Sequence, residues 1–191
     1  KAWTIALASP SPEVKMRALE LLEEPAGSSS DHIRMPAVYA MAEIANSTDD
    51  VRVKILALAK LREPLQASQV PIRDAAIDAV NIIARAGDRD KVALAAVQAL
   101  AAPANSGNNG VRIPAINAIV RALEHCSNDA AFSTALDLLV APLESMAMIG
   151  GMEVRMMAVA AAEKIGLGAP EAKTKAKAMG LIQSHAAKSG W

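Results

Sequence analysis

Three histidines, one cysteine and four regularly placed arginines are the residues through which this chain could act chemically. His32, His125 and His185 lie far apart and lack the short spacings that put two imidazoles on one helix face, so they predict no metal centre. Glu124-His125-Cys126 sets a base beside the only thiol. Neighbouring residues of a helix point about 100° apart, so this triplet predicts no catalytic dyad. Gly150-Gly151 and Gly107-Asn108-Asn109-Gly110 lack the strand-to-helix setting of a phosphate-binding loop. The sequence thus predicts no catalytic residue, no metal and no cofactor. The arginines are another matter. Arg34, Arg73, Arg112 and Arg155 each stand in the same phrase: IRMPAVYA, IRDAAIDA, VRIPAINA, VRMMAVAA.

The elements that carry these arginines repeat as well. Pro25, Pro64, Pro103 and Pro142 are spaced 39 residues apart and close the phrases ALELLEEP, ALAKLREP, AVQALAAP and ALDLLVAP. Repetition at this period is the mark of stacked supersecondary units. In the unit 11–49, Ser11-Pro12-Glu13 reads as a helix start, and Val14, Ala18, Leu19 and Leu22 follow at helical spacing. Pro25 is expected to end this A helix, and Gly27-Ser28-Ser29-Ser30 to turn the chain. A B helix then starts near Asp31, carries Ile33, Ala37, Val38, Ala40, Met41 and Ile44, and stops at Asn46-Ser47-Thr48-Asp49. Pro36 and Pro114 fall early in B helices, as preset starts or bends. Leu22, Leu61, Leu100 and Leu139 form one column, Ala18, Ala57, Ala96 and Ala135 another, and Ala37, Ala76, Ala115 and Ala158 a third; all three are predicted core.

This grammar divides the chain into a half-repeat 1–10, repeats 11–49, 50–88, 89–127 and 128–168, and a half-repeat 169–191, read as one domain. Trp3, Ile5 and Leu7 are too apolar for a terminal cap, so the chain reads as a segment of a longer protein, with end-to-end self-association as the alternative.

Composition narrows the function classes. Hydrophobic residues make up 52% of the chain and aromatics only 2%, which suits close-packed alanine-rich helices and disfavours sheets. Twenty basic and twenty acidic side chains leave no net charge, which disfavours a general nucleic-acid binder. No apolar run reaches the roughly 20 residues that span a bilayer, and no secretory signal opens the chain. A single cysteine fits a reducing compartment, so a cytoplasmic location is expected.

Paired helices at a 39-residue period, with proline between them and Val-Arg-x-x-Ala opening the second, resemble HEAT repeats across about residues 11–168. Armadillo repeats are a poorer match, because their third short helix hardly fits this spacing. The resemblance implies an all-α, right-handed α-α superhelix of about four hairpins with flanking half-repeats. It implies that Arg34, Arg73, Arg112 and Arg155 form a structural ladder with the turns, although Pro64–Val70 and Pro103–Gly110 contain no acids to pair with. It implies too that the B helices line a concave face. Counted from each arginine, the solvent positions of those helices include Tyr39 and Glu43, then Asp74, Asp78, Asn81 and Arg85, then Asn117 and Arg121. A mixed-charge face with one aromatic anchor suits another protein or peptide better than a phosphate backbone, and an ordinary solvated face is the competing reading.

A second candidate surface is the fourth intra-repeat connection, four residues longer than its siblings, with Met146, Met148, Met152, Met156 and Met157. These methionines form either a binding lip or core filler. The lysines of the tail, Lys164, Lys173, Lys175, Lys177 and Lys188, read as a solvated face. The function expected is a protein-interaction scaffold without enzymatic activity. The alternative is a HEAT-type enzyme or accessory subunit acting on a protein or a nucleic-acid base.

Overall fold

A computed structural model describes residues 2–86, 88–144 and 151–189. Every regular element among them is helical, and none is a strand. The chain forms two compact units, 1–99 and 100–191. The first holds α1 (Ala2–Ala8), α2 (Pro12–Leu21), α3 (Glu23–Ala26), α4 (Asp31–Asn46), α5 (Val51–Lys60), a 3-10 turn (Pro64–Gln66), α6 (Val70–Ala84) and α7 (Arg89–Ala99). The second holds α8 (Ala101–Ala104), α9 (Asn109–Ala122), α10 (Asp129–Leu143), α11 (Gly151–Gly168) and α12 (Ala172–Ser189). No described helix is long and apolar enough to cross a membrane.

Polar caps start these helices where a short side chain can meet the free amides of the first turn. Ser11 accepts from Val14 N at 3.4 Å, Asp50 from Arg52 N at 2.8 Å, Asn108 from Gly110 N at 2.9 Å and Asn128 from Ala130 N at 3.1 Å. The A helices stop earlier than the prolines suggest. α2, α5 and α7 end before Leu22, Leu61 and Leu100, and Pro25, Pro64 and Pro103 sit in the short helical turn that follows. Leu22 N, for example, donates to both Ala18 O and Leu19 O, which tightens the last turn and tilts the chain away. In the fourth repeat α10 runs through Pro142 and ends at Leu143. Pro36 and Pro114 lie past the first turn of α4 and α9, where each removes one intrahelical donor.

Within the first unit, A helices pack on A helices (α2 on α5, α5 on α7) and B helix α4 packs on B helix α6. The second unit repeats the scheme, with α9 on α11 and α10 on α12. Leu61, Leu100 and Leu139 are fully buried, as are Ala57, Ala96, Ala135, Ala76, Ala115 and Ala158. Leu22 is only half-buried.

Two lysines are buried in the first unit. Lys15 Nζ donates to Ala6 O at 3.0 Å and Ser47 Oγ at 2.6 Å, and Lys54 Nζ donates to Ala45 O at 3.0 Å. Each reaches the last carbonyls of the preceding B helix, where orphan acceptors and the negative dipole end favour a cation. In the second unit Lys177, expected on a solvated face, instead ties α12 to α10 through Ser133 O, Ser133 Oγ and Asp137 Oδ1 at 3.1, 3.0 and 2.8 Å. Thr174 Oγ1 donates to Asp129 Oδ2 at 2.6 Å beside it.

α11 and α12 approach so closely that a Cβ on Gly166 would stand 2.6 Å from the Cβ of Ala178. Gly166→Ala must therefore push the two helices apart. It is expected to lower unfolding free energy by about 1–3 kcal/mol despite alanine's better helix propensity. Urea unfolding of the variant reads this directly, and a stability equal to or above that of the wild type would disprove the close approach.

Candidate protein-binding faces

The ladder arginines are explained by the fold. Arg34 Nε donates to Ala26 O at 2.8 Å, Arg73 Nη1 to Ala67 O at 3.2 Å, and Arg112 Nε to Ser106 O at 2.6 Å. In each case a guanidinium at the start of a B helix satisfies a carbonyl of the turn just before it. This replaces the acids missing from Pro64–Val70 and Pro103–Gly110. Arg34 also reaches the next repeat, through Gln69 Oε1 at 3.5 Å and Glu63 Oε1 at 3.5 Å. Arg155 is half-buried at the start of α11.

On the first unit, α4 and α6 lie side by side and expose most of the predicted contact residues. Tyr39 is 42% exposed, and Glu43, Asp74, Asp78 and Arg85 are also exposed. Tyr39 and Glu43 stand one turn apart on α4, and Asp74 and Asp78 one turn apart on α6, so each pair shares a face. The carboxylates of Glu43, Asp74 and Asp78 have no ion-pair partner among the described residues.

Asn81 corrects the sequence reading. Expected at a solvent position, it is 7% exposed, and its Oδ1 meets no donor. It stands at the edge of the α6 stripe; the corresponding residue of α4, Ala42, is 1% exposed. Helical spacing identifies that edge but not how far neighbouring atoms cover it.

On the second unit, Asn117 is half-buried and Arg121 exposed. They line a groove of about 230 Å³ between α9 and α11, together with Val120, Glu124, Met157 and Lys164. Asn117, Arg121 and Lys164 are all solvent positions by helical count, and the packing of α11 against α9 brings them to one groove. A neighbouring cavity of about 420 Å³ shares Val120, Glu124 and Lys164 and adds His125, Cys126 and Phe132. His125 has φ 63°, the left-handed conformation that commonly ends a helix, and is exposed, whereas Cys126 is 9% exposed.

Met146 and Met148 lie outside the described residues. Of the other methionines in that connection, Met152 and Met156 are 56% and 66% exposed on α11. Among the described residues, no three His, Cys, Asp or Glu side chains converge closely enough to hold a metal ion.

No family model and no curated protein sequence matches the chain. Solved structures do: 28 chains match. One is the crystal structure of an engineered protein from the Northeast Structural Genomics Consortium, with a TM-score of 0.52 and 18% sequence identity, covering 99% of this chain and 97% of that one. At that identity the similarity concerns the path of the backbone and carries no chemistry, so what this chain shares with the engineered protein is its fold.

Proposed function

We propose that this chain is a HEAT-like α-solenoid that serves as a protein-interaction scaffold and binds a polypeptide through the outward faces of its B helices. The stacking of A helices on A helices and B on B within each unit supports the solenoid reading. So does the use of Arg34, Arg73 and Arg112 to close the turn before each B helix. One observation carries the functional reading. Most residues that recur from repeat to repeat are buried, and Arg34, Arg73 and Arg112 are bonded to the turns, whereas Tyr39, Glu43, Asp74 and Asp78 vary and face outward, and the three carboxylates have no ion pair among the described residues. An exposed aromatic among polar groups is the usual anchor of a polypeptide interface.

The reading is tested by affinity capture from the source organism with the wild-type chain and with Tyr39→Ala/Asp78→Ala. The double variant is expected to lose the specific partner while keeping its helical circular dichroism. An identical set of captured proteins would remove the α4–α6 face from consideration.

A further inference from the structure

The second unit holds a cavity of about 420 Å³ where α9 ends, lined by residues of α10 and of the last turns of α11. Leu123 N donates to Ile119 O and Val120 O at 3.3 and 3.2 Å, which tightens the last turn of α9. His125, at φ 63°, then turns the chain toward α10. Leu123, Phe132 and Ile165 are buried and give the cavity apolar walls. Gly168 adds no bulk beside the Phe132 ring; a Cβ there would stand 3.2 Å from its Cε1. The cavity adjoins the groove of about 230 Å³ between α9 and α11, and the two share Val120, Glu124 and Lys164. Arg121 on α9 and Lys164 on α11 are both exposed there, and neither has an ion-pair partner among the described residues. Glu124 is likewise without an ion pair among them. Two cations against one carboxylate leave a single positive charge beside an apolar cavity.

We propose that this α9–α11 cleft binds a small amphipathic monoanion, a carboxylate carried on a hydrocarbon or aromatic body. The carboxylate is held between Arg121 and Lys164, and the apolar body enters the cavity against Leu123, Phe132 and Ile165. Cavities of about 300–1,000 Å³ with mostly apolar walls and a few polar groups are the usual form of a small-molecule site. Guanidinium and ammonium groups are donors only, and a carboxylate is an acceptor only, so the two match. Glu124 limits the charge of the ligand. It offsets one of the two cations and repels the second negative charge of a phosphate. Burial of the apolar body supplies the rest of the affinity, in proportion to the area removed from water. The inference concerns α9 and α11 alone and does not rest on the scaffold reading.

Isothermal titration calorimetry with the full chain at about 0.15 M salt tests it, using octanoate, octanol and inorganic phosphate as probes. Octanoate is expected to bind at one site, more tightly than octanol, and phosphate to leave it undisplaced. Arg121→Gln/Lys164→Gln should weaken octanoate about tenfold, the combined loss of two exposed charge contacts, and leave octanol unchanged. Val120→Trp, which places an indole in the wall shared by cavity and groove, should abolish binding of both. Lys173→Gln, on α12, should change neither. Arg121, Lys164 and Lys173 are exposed and Val120 is half-buried, and circular dichroism checks that each variant stays folded. No binding of octanoate at millimolar concentration overturns the proposal. So does equal binding of octanol, or octanoate binding that survives Arg121→Gln/Lys164→Gln or Val120→Trp. Displacement of octanoate by phosphate would overturn the monoanion.

Discussion

Lys54→Ala is expected to lower the unfolding free energy by about 2–4 kcal/mol, although lysine is ordinarily a dispensable surface residue. Lys54 is 0% exposed and its ammonium donates to Ala45 O at the end of α4. Truncation empties the space of a four-carbon stem and strips a buried helix-end carbonyl of its donor. The opposing term is release of a desolvated charge, which keeps the loss below that of the largest core truncations. Lys54→Met separates the contributions, because it restores the packing but not the donor. A smaller loss of about 1–2 kcal/mol is expected for it. The corresponding positions of the next two repeats hold Ala93 and Phe132, both buried, so an apolar residue is compatible with the column.

The same burial sets a pH dependence. Desolvation holds the Lys54 ammonium below the ordinary lysine value, with Asp49 opposing, and desolvation lowers Lys15 in the same way. Between the lowered folded-state value and the ordinary value of about 10.4, the unfolded chain binds more protons than the folded one. Stability attributable to these lysines therefore rises with pH across that window. Measured by urea unfolding, the advantage of wild type over Lys15→Met/Lys54→Met should widen as pH climbs toward 10. A difference that stays flat or narrows would show that the folded-state values are not lowered.

These lysines show where sequence reading reached its limit. The helical pairs, their columns and the arginine-led second helix were legible because each depends on one residue type returning at a fixed interval. Lys15 and Lys54 are also 39 residues apart. Ala93 and Phe132 continue their column, so it lacks the common residue type that would mark it in the sequence. What the position shares is burial against the preceding B helix, a property of packing. The burial of Asn81 is hidden for a related reason: a helical wheel gives direction, while coverage depends on neighbouring atoms. The partners of the arginines were hidden because backbone carbonyls have no signature in a sequence. For the candidate faces, spacing placed Tyr39 with Glu43 and Asp74 with Asp78. The 39-residue period already aligned Tyr39 with Asp78, and the packing of α4 on α6 sets the two pairs side by side, while that of α9 on α11 brings Lys164 to Asn117 and Arg121.

Leu61→Ala is expected to cost about 2–5 kcal/mol, while the same change at Leu22 costs roughly half as much. The two leucines share a column and a local phrase, so propensity and helix-end effects are nearly the same for both. They differ in surroundings. Leu61 is 0% exposed, at the break between α5 and the turn that leads to α6, and α5 is flanked by α2 and α7. Leu22 is half-buried at the corresponding break after α2, and among the described residues the A helix that packs on α2 is α5. Truncating Leu61 removes its apolar area and leaves a cavity that the two neighbouring A helices cannot collapse without losing their own contacts. At Leu22 solvent already reaches the site, so little cavity is created and less area is lost. Parallel urea titrations of the two variants measure the ratio. Equal losses would mean that each hairpin is stabilised on its own. A larger loss at Leu61 would locate the stability in contacts between successive A helices, as expected when a repeat cannot bury its apolar face alone.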